Sequence, residues 1–220
     1  MLSKHFKKVI YLIVLIGFSW ASAGSYDDFF LALSRNRATE IQALLDRGFD
    51  PNTVNPQGEA AILIAVRQEA WDVAEILASH PATSVDVRNA NDETALMLAA
   101  LKGHLGLCQK LIARYADLNK TGWTPLHYAA TNGDPALIRL MLDHYAYIDA
   151  ESPNGTTPLM MAAMYGSAEA VKTLLDAGAD ASLKNVRGLS ALDFARRAKD
   201  ASVVEWIASS IRAKKEPGGW

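Results

Sequence analysis

Five histidines, one cysteine and scattered carboxylates are the side chains of this chain that could ligate a metal, move a proton or attack a carbonyl carbon. The histidines are His5, His80, His104, His127 and His144. A helical metal site wants two histidines four residues apart with an acid nearby, so that both rings leave one face. No pair here has that arrangement. The lone thiol, Cys108, stands where Ile138 and Val171 stand in equivalent segments, which predicts a small buried core residue rather than a nucleophile. A single cysteine forms neither an internal disulfide nor a thiolate metal cluster. Asp50, Asp117 and Asp180 recur at one place in their segments and read as loop formers, and Asp27 and Asp28 as acids at a helix start. Glycines come singly at turns, with nothing like a phosphate-cradling loop after a strand. The expectation is no catalytic residue, no cofactor and no metal, hence no enzyme.

What organises these residues is a unit of about 33 positions. Its clearest copy is Thr124-Pro125-Leu126-His127-Tyr128-Ala129-Ala130, followed by Gly133 and then Met141-Leu142. The pattern returns at Thr157-Pro158-Leu159 with Ala162-Ala163, Gly166 and Leu174-Leu175, and at Thr94-Ala95-Leu96 with Ala99-Ala100, Gly103 and Leu111-Ile112. Weaker copies open at Ala60 and Ser190, and a sixth near Asp27. Starts near 27, 60, 94, 124, 157 and 190 are spaced 33, 34, 30, 33 and 33. Fixed periods of this size mark repeats that bury their apolar faces on one another.

Each recurring residue has a physical reason. Thr caps a helix start, its hydroxyl accepting from an otherwise unpaired N–H. Pro suits the first helical turn, where no N–H is needed. Leu and the Ala pair form the buried stripe of a short helix. Gly then supplies the turn that ends it. A second helix follows, carrying Val171, Leu174 and Leu175 at helical spacing, and Gly178-Ala179-Asp180 leads into an extended finger of about ten residues. This helix–turn–helix–finger pattern resembles the ankyrin-repeat family. The resemblance covers nearly all of the chain after the first 25 residues and implies an all-α solenoid of about six units joined by β-hairpin-like loops, domain 24–212, with a flexible tail 213–220. It also implies that His127 bonds the Thr124 region and braces neighbouring turns, and that His104 packs in an inter-helix turn. His80 and His144 fall at second-helix ends, facing the carbonyl end of the dipole. One departure is the spacing of 30: Asp117-Leu118-Asn119-Lys120-Thr121-Gly122-Trp123 reaches Thr124 three residues early, giving a shortened finger and a step.

The amino terminus carries a second signal. Lys4, Lys7 and Lys8 precede an apolar run from Val9 to Phe18, and Ala21-Ser22-Ala23 offers a small-residue cleavage site. This reads as a secretory signal peptide, residues 1–23. The run is shorter than the roughly 20 apolar residues a membrane helix needs, an uncleaved membrane anchor being the alternative. Removing it shifts the formal balance from −2 to −5 and leaves no basic run fit to track phosphates, so nucleic acid is not an expected partner. Arg212, Lys214 and Lys215 near the carboxyl end read as solvated charges.

Both terminal repeats read as capped. Tyr26, Phe29 and Phe30 face in at one end. At the other, Val203, Val204 and Ile207 face in, while Arg196, Arg197, Lys199 and Asp200 face out, with Trp206 either covering the last layer or exposed. The resemblance implies a monomer that binds a protein on its concave face of fingers and first helices. The variable positions there are Gln57, Glu59, Arg67 and Gln68; Asn91, Glu93 and Lys102; Lys120, Thr121, Trp123 and Asn132; Asn154, Thr156, Met164 and Tyr165; and Arg187 and Leu189. Trp123, at the step, leads this set, against the alternative that it packs on the next finger. The mixture of Trp, Tyr, Met and Arg suits a protein-binding surface. The chain also resembles small exported bacterial ankyrin-repeat proteins. That implies a periplasmic scaffold supporting an oxidative-stress enzyme such as catalase, or an inhibitor or immunity protein against a toxic enzyme.

Overall fold

The computed structural model describes residues 24–215, so the expected signal segment 1–23 lies outside the described residues. The chain divides between Thr83 and Ser84 into two compact units. The first holds α1 (24–34), α2 (Ala38–Asp46), α3 (Ala61–Arg67) and α4 (Trp71–Ser79). The second holds α5 (Ala95–Leu101), α6 (Leu105–Ala113), α7 (Pro125–Asn132), α8 (Pro135–Asp143), α9 (Pro158–Tyr165), α10 (Ala168–Asp176), α11 (Ala191–Ala198) and α12 (Ala201–Lys215). Every described element is a helix apart from isolated antiparallel bridges in two fingers, Val54–Ala60 and Lys184–Ser190. This is the all-α helical repeat that the sequence predicts.

In the second unit the first helices form one row, α5 on α7, α7 on α9 and α9 on α11, and the second helices form another behind it. Leu96, Leu126 and Leu159 and the alanines at 99, 129 and 162 fill the space between, all buried. Truncating such a leucine to Ala costs about 2–5 kcal/mol. In the first unit Phe29 stacks on Phe49 at 4.6 Å, Phe30 lies against Phe29, and the Tyr26 hydroxyl donates to the Val54 carbonyl. At the far end Val203 and Ile207 are buried and Trp206 is 38 % exposed, so the last layer is covered chiefly by aliphatics.

Helix starts follow the sequence. Thr94 and Thr157 hydroxyls accept from the N–H groups of Met97 and Met160, and Pro125 and Pro158 occupy first turns. The glycine after the first helix is a more interesting case. The turn is left-handed at Asn36, Glu69, Gly103, Gly133 and Lys199, but Gly166 has φ −80°, open to any residue. Crowding is what demands glycine there: a Cβ would lie 2.5 Å from the Ala130 carbonyl oxygen and 2.9 Å from the Ala162 Cα. The expected gain in backbone freedom is thus replaced by close approach of two repeats. Second helices end left-handed as well, with Gly48 and Gly178 in two repeats but Tyr115 (φ 62°) and Tyr145 (φ 66°) in two others.

The carboxyl end also differs from expectation. α12 continues past Arg212 to Lys215, with Arg212 paired to Glu205 and Lys214 to Asp180, so these cations are engaged rather than merely solvated.

Candidate partner-binding cleft

The fingers are held by side chains that imitate backbone. Asn55, Asn89 and Asn185 each accept from two N–H groups across the finger, and in the fourth finger Ser152 and Asn154 both accept from the Thr156 N–H. Asp50, Asp117 and Asp180 accept from the N–H two residues on, the loop-forming role predicted for them. Neighbouring fingers are tied together as well. Asn119 donates to the Tyr145 carbonyl and accepts from the Tyr147 N–H, and the Val186 N–H donates to the Asn154 carbonyl.

His127 is the strongest of these ties. Its Nδ1 faces the Thr124 N–H at 3.1 Å and the Thr124 hydroxyl at 2.8 Å, and its Nε2 lies 2.9 Å from the Thr156 carbonyl oxygen. A carbonyl only accepts, so Nε2 carries the hydrogen and Nδ1 accepts from Thr124. The ring is fully buried, which pushes its pKa down to about 4 despite the Thr156 bond, with Lys120 adding to the fall. A neutral structural ring results, joining one helix start to the next finger. His104 caps α6, its Nδ1 accepting from the Leu107 N–H. Cys108 is buried, which raises its thiol to about 12 and removes it from nucleophilic chemistry at neutral pH. Among the described residues no group of three His, Cys, Asp or Glu side chains is placed to hold a metal, and no helix is long and apolar enough to cross a membrane.

Lys120 corrects an expectation. As a variable position of the short finger it is expected on the partner-binding surface, yet its side chain is 1 % exposed. Nζ pairs with Asp92 at 2.5 Å and donates to the carbonyls of Thr121 and Trp123 at 3.1 Å each. The physical reason is the missing length: with three residues fewer, this finger has no room for the asparagine turn of its neighbours, and the amine folds under to occupy its carbonyls.

Two adjoining clefts open between the fingers and the first helices of the second unit. One, of about 230 Å³, is bounded by Trp123, Asn154, Tyr165, Arg187, Phe194 and Arg197, with Met161 beneath. The other, of about 310 Å³, is bounded by Leu101, Trp123, Tyr128, Thr131 and Glu93, also over Met161. Trp123 and Met161 are common to both. The Trp123 ring is half-buried and meets His127 edge-on at 5.2 Å, so it both packs and lines the opening. Glu93 is fixed at the far end, one oxygen accepting from the Tyr128 hydroxyl at 2.8 Å and the other from Asn89 at 2.7 Å. Burial and that carboxylate both raise the Tyr128 phenol.

Of the residues proposed from sequence, the structure brings Trp123, Asn154, Thr156, Tyr165, Arg187 and Leu189 together in one cleft, with Glu93 in the adjoining one. Met164 is half-buried and Lys102 exposed, and neither lines the clefts. Asn132 donates instead to the Leu101 carbonyl and accepts from the Asp134 N–H. Arg67 and Gln68 belong to the first unit, beside Tyr26 and Phe30, where Arg67 is clamped by both oxygens of Glu59. Sequence reasoning missed Tyr128, Met161, Phe194 and Arg197. The first three all stand four residues after their helix caps Thr124, Thr157 and Ser190, a column whose residue changes in every repeat while its neighbours stay Leu and Ala. That variation was the available signal.

Two family descriptions of ankyrin repeats match the chain, one of three copies at residues 82–152 and one of many copies at 141–195. Among curated proteins it is 28% identical over 184 residues to the B-cell lymphoma 3 protein homolog of Mus musculus, covering 80% of this chain and 41% of that protein. It is 29% identical over 140 residues to the mouse ankyrin repeat and SAM domain-containing protein 6, covering 56% of this chain and 16% of that protein. It is 32% identical over 124 residues to the human neurogenic locus notch homolog protein 2, covering 55% and 5%. The chain thus spans less than half the length of these relatives.

Proposed function

The chain belongs to the ankyrin-repeat family, matched across residues 82–195, and from that premise we propose that it is a non-enzymatic scaffold, exported to the periplasm, that holds a partner protein in the clefts of its second unit. The observation that carries this reading is the column Tyr128, Met161 and Phe194, left part-exposed and framed by Trp123, Tyr165 and Arg187. Aromatic rings, methionine and arginine are the residue types enriched in interface cores. The walls are pre-set by hydrogen bonds between repeats, which lowers the ordering cost of binding. Clefts of about 230 and 310 Å³ are open and at or below the small end of drug-sized ligand pockets, and suit single side chains of a partner. Export is supported by Lys4, Lys7 and Lys8, the apolar run from Val9 to Phe18 and Ala21-Ser22-Ala23. A eukaryotic secretory route or an uncleaved anchor would use the same residues.

Affinity capture from the native envelope with wild type, Trp123→Ala and Met161→Ala tests the reading. One dominant partner lost from both variants supports it, and a partner retained equally by all three forms refutes it. The activity of that partner alone and in complex then separates two clients: an envelope enzyme that is supported, catalase among them, or a toxic enzyme that is silenced. Amino-terminal sequencing of the captured chain tests export, the expected first residue being Gly24.

A further inference from the structure

The charge pattern of the paired clefts points to the chemistry of what they hold. Six cations of the second unit are paired with acids: Arg88 and Lys120 with Asp92, Lys172 with Asp176, Arg196 with Asp193, Arg212 with Glu205, and Lys214 with Asp180. Arg187 and Arg197 differ. Both are exposed, both line the cleft beside Trp123 and Tyr165, no acid lines it with them, and neither has an ion pair among the described residues. The Arg197 guanidinium instead lies 6.0 Å from the Phe194 ring centroid, a cation–π placement. At the opposite end stands Glu93, its oxygens already bonded to Tyr128 and Asn89. Between them lies the apolar floor of Met161 under Trp123. The path is therefore cationic, then apolar, then acidic.

We propose that this path binds an extended acidic peptide segment of the partner. An Asp or Glu carboxylate is taken by Arg187 and Arg197, and a bulky aliphatic or aromatic side chain nearby in the same segment enters the adjoining cleft over Met161. This rests on the protein-scaffold reading and names the partner's chemistry. Guanidinium forks match carboxylates in a bidentate manner, and apolar walls strengthen that pairing by excluding water. A nucleic acid fits poorly, since six other cations of the unit are held by carboxylates and the cleft itself offers only Arg187 and Arg197, no stripe along a backbone. The Glu93 end sets polarity: a second acid there meets a carboxylate, so the segment carries its acid at one end only.

The test uses the chain from Gly24 onward and random 12-residue peptides built around a fixed Glu and Leu. Matched libraries carry Gln for the Glu, Lys for the Glu, or Ala for the Leu. The expected result is selection from the Glu–Leu library alone. Selected peptides should bind roughly tenfold more weakly to each of Arg187→Ala and Arg197→Ala, the loss of one charge-assisted contact apiece. Binding should weaken from 50 to 500 mM NaCl. Because both arginines are exposed, the variants should keep the wild-type unfolding midpoint. Arg187→Glu with Arg197→Glu should shift selection to the Lys library, which a merely structural role would not do. Equal selection of Gln and Glu peptides, undiminished affinity in the double Ala variant, or stronger selection of phosphopeptides or single-stranded RNA overturns the proposal. If the captured partner is lost from Trp123→Ala but retained by the double Arg variant, the acidic-segment proposal falls while the scaffold reading stands. If neither change matters, both fall.

Discussion

Lowering the pH should unlock the tie made by His127, and the structure sets the size of the effect. The ring is buried between Thr124 and Thr156, and burial brings its pKa from 6.5 to about 4. A protonated ring would turn Nδ1 into a donor facing the Thr124 N–H and place a second cation near Lys120. The unfolded chain therefore takes up a proton as pH falls through about 6.5, whereas the native chain resists until about 4. Where the unfolded state binds more protons, stability rises with pH. The contribution is complete above 6.5 and is lost progressively on descending to 4, reaching about 3 kcal/mol in total at 1.36 kcal/mol per unit of pKa. His127→Gln is the control, since its amide can accept from Thr124 and donate to Thr156 without titrating. Urea unfolding of both proteins at pH 7.5, 6.5, 5.5 and 4.5 gives a difference in which the other histidines and the carboxylates cancel. Wild-type stability relative to the variant should fall by about 2–3 kcal/mol across that range. A difference that stays flat within about 0.5 kcal/mol would refute the assignment of a neutral, buried ring, as would a His127 proton resonance titrating near 6.5 by NMR.

Lys120→Met keeps the buried stem but leaves the Thr121 and Trp123 carbonyls without their donor. It should lower stability by about 2 kcal/mol in urea unfolding. A neutral result would mean that the short finger stands without its amine. Gly166→Ala drives a Cβ against the Ala130 carbonyl and Ala162 backbone and should cost about 3 kcal/mol or lose the fold, whereas Gly178→Ala meets open space and should cost only about 1–2 kcal/mol for its left-handed φ. The reverse order, read as thermal midpoints, would sink the crowding explanation. Tyr115→Gly and Tyr145→Gly relieve left-handed backbone at positions 91 % and 85 % exposed, and each should raise stability by about 0.5 kcal/mol after the unfolded-state entropy of glycine is subtracted. A loss of stability in both would show that the rings are held by packing.

The repeat was legible because its determinants are local. A Thr cap, a Pro in the first turn and a buried Leu with an Ala pair act within seven residues, so each helix start is read correctly from Thr94, Thr124 and Thr157. What eluded sequence reasoning depends on neighbours distant in the chain. Gly166 looks like Gly133, yet only the approach of Ala130 explains it. Lys120 looks like an exposed finger residue until the shortened loop turns it under to reach Asp92. Tyr115 and Tyr145 carry no mark of their left-handed backbone, because the same position is glycine in other repeats. The binding residues proposed from sequence lay seven and eight positions after the caps or along the fingers. That captured Tyr165 and Arg187 and passed over the fourth position.

That fourth position shows how a repeat separates folding from recognition. Leu126 and Leu159, two residues after their caps, are fully buried, as are Ala129 and Ala195 five residues after theirs, so their identities are fixed by the packing of first helix on first helix. Tyr128, Met161 and Phe194 lie on the same helices but turned toward the fingers, only partly buried, and a change there alters the cleft floor without opening the core. The fingers supply the other wall through backbone and Asn hydrogen bonds that need no particular residue at Trp123 or Arg187. Exchanging Met161 for Leu or Phe should therefore leave the unfolding midpoint within about 1 kcal/mol of wild type while changing which apolar side chain a bound peptide prefers. If peptide preference stays fixed while stability collapses, the column belongs to the core, and recognition lies elsewhere on the molecule.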